Sequence, residues 1–267
     1  MRIRLLFVCL LLFVCLGLLP ALHAWPAAAQ DMLRNVDLAS PMMTMADMTR
    51  ADVEALIRAA AGEPVDLSSR SLNGLDLSGL DLTGANLRAA RLNKARLAGA
   101  KLDGALLDQV WALGADLSGA SMKSASLFGT QLQGAVLDGA DLAGARLAGD
   151  FSNASFRNAS LAGADLSPDL KNQSMGLMRA VMKSARLDGA NLKGANLSRA
   201  NLEFAHFGDA DFTGARLDGA EAGGADFRGA VMANADVTGM DINSAWIDAS
   251  AEALFAKAEN LARAFRN

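Results

Sequence analysis

The sequence predicts an all-β solenoid, and three observations carry that prediction. From Leu67 to Leu147 an apolar residue returns every five positions, leucine throughout except at Ala112 and Met122. A small residue, usually alanine, stands two positions before most of these, as at Ala85, Ala90, Ala95 and Ala100. Two positions after most of them comes a glycine or a polar residue, as at Gly79, Gly84, Lys94 and Gly99. On an α-helix a step of five advances roughly 140°, so these leucines would spiral over the whole surface and leave no buried stripe. In an extended strand the same step sends successive leucines to opposite faces. A chain that turns a corner every five residues gives them a common interior. Each side then turns inward one large residue (position i) and one small residue (i−2), and glycine at i+2 suits the turn because it carries no Cβ.

The repeats also carry a resemblance. Ala85-Asn86-Leu87-Arg88, Ala190-Asn191-Leu192-Lys193-Gly194 and Ala195-Asn196-Leu197-Ser198-Arg199 resemble the A(D/N)LXX motif of the pentapeptide-repeat family, and the pattern runs over residues 65–248. The resemblance implies a right-handed quadrilateral β-helix with four pentapeptides per coil. That makes about nine coils here and, at a strand spacing of roughly 4.8 Å, a rod on the order of 40 Å long. In relatives that inhibit gyrase, the resemblance further implies an acidic DNA-like surface and pairing of two rods at their C-terminal ends.

The elements follow in order. Arg2 and Arg4 precede an apolar run from Leu5 to Leu19, Pro20 breaks it, and Ala27-Ala28-Ala29 offers a cleavage site before Gln30. Residues 1–29 therefore read as a secretory signal peptide, which places the mature protein in the periplasm or outside the cell. The membrane is involved only through this segment if it stays uncleaved. Both cysteines, Cys9 and Cys15, lie inside it, so a cleaved chain has no thiol or disulfide chemistry. Residues 30–64 are a Met-rich segment followed by a helix over 49–61. Thr49 and Asp52 have capping-box spacing, Val53, Leu56, Ile57 and Ala60 make one apolar face, and Gly62 and Pro64 stop the helix. Such a helix covers the open end of a solenoid core. The repeat, 65–248, breaks at about 148–180. There the phase slips by one at Phe151, and the stretch 167–176 departs from the motif as a loop that protrudes from the rod or bends it. Residues 249–267 read as a C-terminal helix, with Leu254, Ala258, Leu261 and Phe265 on one face, serving as a cap or as a homodimer contact.

Catalytic chemistry finds little support. Past residue 29 the only histidine is His206, no nucleophile–base pair or metal spacing stands out, and the regular glycines are turn residues. The reading is of a protein that is not an enzyme and takes no cofactor or metal. The net charge of −4 becomes about −6 when Arg2 and Arg4 leave with the signal segment, a value that calls for no particular partner. Arg88, Arg91, Lys94, Arg96 and Lys101 form a basic run without an acid, too small for nucleic-acid binding. Candidate partner contacts are Arg91, Leu106 and Trp111, the last two apolar at the usually polar i−1 position, and the loop residues Asp169, Lys171, Asn172, Gln173, Met175 and Met178. Trp246, also at i−1, is expected beneath the C-terminal helix. The small residues Ala112 and Ala222 are expected to leave local cavities or to draw in the wall.

These features point to an exported bacterial protein that presents a rigid binding or scaffold surface to a protein partner, as a monomer or as a homodimer through the C-terminal helix. Two other readings predict different observations. A DNA-mimic inhibitor or protector of gyrase or topoisomerase would be uncleaved, cytoplasmic and dimeric. A periplasmic Cu(I)-handling protein would use the thioethers of Met42, Met43, Met45 and Met48, or of Met175, Met178 and Met182.

Overall fold

Leu67 donates its amide to the carbonyl of Asn86, and Asn86 donates its own to Val65 (2.8 and 2.9 Å). Ser69, at the corner, donates to Arg88 (2.8 Å). This trio repeats along the chain and converts a five-residue period into parallel ladders. The computed structural model describes residue 33 and residues 36–169 and 178–267. The expected signal peptide and Lys171, Asn172, Gln173 and Met175 lie outside the described residues.

Four ladders of i−1 residues run along the rod. Ladder A holds Asp66, Asn86, Leu106, Ser126, Arg146, Asp165, Asn196, Arg216 and Asp236, and ladder B holds Ser71, Arg91, Trp111, Gln131, Asp150, Val181, Asn201, Glu221 and Asp241. Ladder C begins at Asp76 and ladder D at Asp81. Each corner closes with a hydrogen bond from the amide at i+3 to the carbonyl at i, such as Ala85 to Leu82 at 3.0 Å. The i+2 residue sits in the left-handed region, at Gly84 (φ 68°) as at Gln109 (φ 60°), which is the type II turn that glycine fits best. The i and i−2 side chains fill the interior, and Leu67, Leu87, Leu127 and Leu187 are fully buried, as are Ala85 and Ala105. Each such leucine contributes roughly 1.5–3 kcal/mol. The expected cavity at Ala112 is present as a void of about 10 Å³ walled by Leu92, Leu107, Met122 and Leu132. Ala222 is itself fully buried, and five residues on, the Phe227 ring stacks on Phe207 at 5.0 Å.

The N-terminal segment is more ordered than its composition suggests. Pro41–Thr44 forms a helical turn, α1, and Arg50–Ala59 forms α2. Thr49 caps α2 with the expected box: its amide donates to Asp52 Oδ2 (2.8 Å), and its hydroxyl accepts from the Asp52 amide (3.3 Å). Val53 is buried in the core, with Ile57 and Ala60 packed against it. The Met-rich stretch is strapped to the flank of the first coils. Asn73 Nδ2 donates to the carbonyls of Met42 and Met45 (3.2 Å each), and Asn93 Nδ2 donates to that of Met43 (3.1 Å).

The phase slip has a simple form. Strand β1 (Ser126–Gln131) pairs in parallel with β2 (Arg146–Asp150), with Phe128 opposite Ala148 and Gln131 opposite Asp150. Gly129 and Thr130 together therefore face Gly149, a bulge of two residues against one. A Cβ on Gly149 would lie 2.5 Å from the Thr130 carbonyl oxygen, so the shortened side closes only around glycine. Below and above this point, each rung again follows its predecessor in register.

The expected C-terminal helix is not formed. Ala249–Phe255 and Leu261–Arg263 are 3₁₀ turns, and Phe265–Arg266 is a strand, β4, paired in parallel with β3 (Trp246–Ile247). The reason is the open ladder edge left by the last full coil. Its backbone groups need partners, and Ile242 donates to Glu259 (3.2 Å), Glu259 to Met240 (2.8 Å) and Phe265 to Ala245 (2.7 Å). Those bonds draw the chain into one more rung and forbid a continuous helix. Phe255 plugs the core, 5.8 Å from the Phe227 ring. Trp246 is not covered as expected. It stays 39% exposed, between the Arg228 guanidinium (5.2 Å) and the Phe265 ring (4.8 Å).

Two stability predictions follow from the rungs. Gly149→Ala forces a Cβ onto backbone and should cost about 3 kcal/mol. Gly139→Ala, at φ 67° with open space around it, should cost only about 1 kcal/mol, both read by urea unfolding. The second concerns acid. Asp66 is held below the usual carboxylate range chiefly by the Ser68 amide, Asp211 by the Thr213 hydroxyl, and Asp236 by that of Thr238. Each binds its proton more weakly folded than unfolded, so the stability it adds is complete above about pH 5 and drains as pH falls through and below 4. Asn is used at the equivalent places Asn191 and Asn196, where Oδ1 accepts the same amide. Asp211→Asn with Asp236→Asn should therefore flatten the acid limb of a pH-dependent melting series and change little at pH 7.

Candidate functional site

Within the body of the rod, up to Trp246, both departures from the twenty-residue rung fall on the same side, the side running from ladder A to ladder B. They also fall in adjacent coils. Arg146 to Asp150 is one residue short, and directly above it the chain leaves after Leu166 and rejoins ladder B at Val181. The join is clean. Ala180 donates to the Leu166 carbonyl (3.3 Å), taking the place that the i+3 residue fills in an ordinary corner. The extra residues are thus an insertion at a corner, and the rungs on either side continue in register.

The neck of this insertion is tied from three directions. Asp169 donates its amide to the Met178 carbonyl (2.9 Å). On the entry side Arg146 Nη1 donates to the Ser167 carbonyl (2.7 Å) and meets the Asp165 carboxylate at 2.9 Å. On the exit side Arg179, only 18% exposed in its side chain, makes a two-point pair with Glu221 (2.8 and 2.7 Å) and donates to the Arg199 carbonyl (3.0 Å). A forked guanidinium–carboxylate pair fixes direction as well as distance.

The neck also meets the corner beneath it. A Cβ on Gly129 would lie 3.6 Å from the Met178 methyl and 3.5 Å from Gln109 Cγ, so both side chains border that corner. A groove of about 460 Å³ runs here, lined by Arg88, Asp108, Gln109, Ser126, Phe128, Arg146 and Asp169. Arg88 Nε donates to Asp108 (3.1 Å), and Asp108 also accepts from Ser126 and from the Phe128 amide. Two cations, two carboxylates and one aromatic ring thus share the groove, which suits it to recognition rather than proton transfer.

Of the sequence candidates, Asp169 and Met178 stand at this site. Leu106 is bridged to Ser126 in ladder A, and Trp111 lies between Arg91 and Gln131 in ladder B, so the two flank the same corner. Arg91, Leu106 and Trp111 are each half-buried. Arg91 and Trp111, neighbours in ladder B, form no cation–π contact; among the described residues those formed are Arg228 over Trp246 and Lys183 over Phe204. Sequence reasoning missed Arg88, Asp108, Gln109, Phe128 and Arg146. A signal existed: Phe128 stands at i+1, one rung from Asp108 and two from Arg88, a large apolar ring where the repeat is mostly polar. The basic run is not a basic surface either, since Arg88, Arg96 and Lys101 meet Asp108, Asp76 and Asp81 of neighbouring rungs at 3.1, 3.6 and 3.4 Å. The methionines divide: Met43 and Met182 are buried, whereas Met42 and Met45 are exposed.

The family model for pentapeptide repeats matches in eight copies, over residues 71–109, 115–149, 137–167, 177–214 and 210–245, more than half of the chain. This chain belongs to the pentapeptide-repeat family. The family's right-handed β-helix is also the fold of QnrB1, described as a plasmid-mediated fluoroquinolone resistance protein. It is similar at a TM-score of 0.50 and 19% identity over 66% of this chain and 85% of that one. That likeness speaks for the fold alone. Two further pentapeptide-repeat proteins align less well in space. HetL, involved in heterocyst differentiation regulation in the cyanobacterium Nostoc sp. strain PCC 7120, is 26% identical over 71% of this chain and 96% of its own, with a TM-score of 0.22. A protein of the Arabidopsis thaliana thylakoid lumen is 34% identical over 36% of this chain and 67% of its own, with a TM-score of 0.25. No curated protein matches the sequence.

The neck geometry of this pentapeptide-repeat protein makes a local prediction. Arg179→Ala should speed hydrogen exchange at the Asp169 amide at least tenfold, while amides of the unbroken rungs, such as Leu87, keep their protection.

Proposed function

We propose that this pentapeptide-repeat protein is an exported, non-enzymatic scaffold of the bacterial periplasm or cell envelope, and that its A–B corner is the surface that meets a protein partner. One observation carries the reading: the shortened side, the insertion and the apolar residues Leu106, Trp111 and Phe128 all gather at one corner of an otherwise regular rod. A regular rod offers no reason for two irregularities to share a side. The tied neck presents Asp169 and Met178 with little conformational freedom left to lose, which lowers the cost of binding. Within the same reading, α2 covers the N-terminal end of the core. Among the described residues, no helix is long and apolar enough to cross a membrane, and no cluster of His, Cys, Asp and Glu has metal-binding geometry.

The test has two parts. Mass spectrometry of the native protein after cell fractionation should find a chain beginning near Gln30 in the periplasm; an intact Met1 in the cytosol would remove the export claim. Chemical cross-linking in that compartment should then join the wild type to a partner that is lost both on Trp111→Ala and on replacing residues 170–177 by a short Gly-Ser linker. Retention of the same partner by both variants, with melting unchanged, sinks the site. The purified mature chain should leave gyrase supercoiling unaltered, and inhibition there would favour the DNA-mimic reading instead.

A further inference from the structure

The last rung differs from every other at position i. Where the repeat turns a leucine, phenylalanine or other apolar residue inward, β4 carries Arg266, whose side chain lies half-buried on the end of the rod rather than inside it. The guanidinium folds over the end of the rod. Nη1 donates to the Ala264 carbonyl (2.8 Å), Nη2 to the Leu261 carbonyl (3.2 Å), and Nε and Nη2 grip Glu252 at 2.9 and 2.7 Å.

The Ala264 carbonyl has a defined place in the ladder. Along the rod, the i−2 carbonyl accepts the amide of the i−1 residue one rung further on, as Ala225 accepts from Trp246 (2.8 Å) and Ala245 from Phe265 (2.7 Å). Ala264 is the next member of that series, so its carbonyl is the acceptor that a further rung would use. Arg266 occupies it. An open parallel edge is a template for another strand, and a charged side chain folded onto it is one way such an edge is closed.

We propose that the Arg266–Glu252 clasp closes this end of the rod to a second copy of the chain, so that the protein does not assemble end to end. The two 3₁₀ turns supply Glu252 and the Leu261 carbonyl, and they do in this protein what the expected dimerisation helix would have done in reverse. Beside the clasp, the exposed rings of Trp246 and Phe265 are spent on each other and on Arg228, as a lateral stack.

Sedimentation of the full chain across a wide concentration range tests this. The wild type should run as a monomer. Arg266→Leu restores the repeat's apolar residue and frees the Ala264 carbonyl; it should double the mass at high concentration with the thermal melt retained. Glu252→Gln loosens the clasp from the other side without touching the strand, and should shift the mass in the same direction but less. A dimeric wild type overturns the proposal. So does a pair of variants that melt as folded rods and remain monomeric at every concentration. If Arg266→Leu fails to fold, Glu252→Gln alone decides.

Discussion

Everything in this protein depends on the match between one rung and the next. A leucine at position i is buried only because its backbone amide bonds to the carbonyl that precedes the next leucine along the ladder. That bond holds only if the corner at i+2 turns in the left-handed region. The three requirements lock one another: apolar stacking, ladder bonding and turn geometry repeat together or fail together. This explains how residues as different as Gly84, Ala89, Lys94 and Gln109 occupy the same left-handed corner. The strain of a side chain there, about 1 kcal/mol, is small beside the leucine burial and ladder bonds it permits.

The same constraint explains where irregularity is tolerated. A missing residue between Arg146 and Asp150 is absorbed inside one side because Gly149 lets the backbone approach Thr130. The inserted residues after Leu166 are absorbed at the corner because Ala180 supplies the missing turn bond. Neither disturbs the rungs beyond it, since each coil contacts chiefly its neighbours. Ion pairs between rungs, such as Lys193 with Asp211 at 3.0 Å and Lys183 with Glu203 at 3.1 Å, lie on the outside, where they contribute a few tenths of a kcal/mol each. Their larger effect is on surface character, because they spread both signs of charge over the rod.

The ends obey a different rule. A solenoid's first and last coils have backbone groups with no next rung, and each end here solves that with side chains. At the N-terminal end Asn73 and Asn93 hold the Met42–Met45 backbone against the flank and α2 lays Val53 on the core. At the C-terminal end Phe255 plugs the interior and Arg266 claims the outward carbonyl.

The five-residue period alone determined that the chain is a solenoid, which side chains fill it, and that the pattern fails near residue 150 and again after 166. Those are properties of local spacing, and burial by stacking leaves its mark on every repeat. The helix at Arg50–Ala59 was legible for a similar reason, since its cap and its apolar face both lie within one short stretch. Tertiary structure alone decided that the two failures share a side, because that depends on counting rungs through the break. It also paired Arg88, Arg96 and Lys101 of the basic run with carboxylates, since those partners lie a full coil away. And it made rungs and 3₁₀ turns of a C-terminal stretch with helical spacing, because the open ladder edge offered hydrogen bonds that an isolated segment would not have.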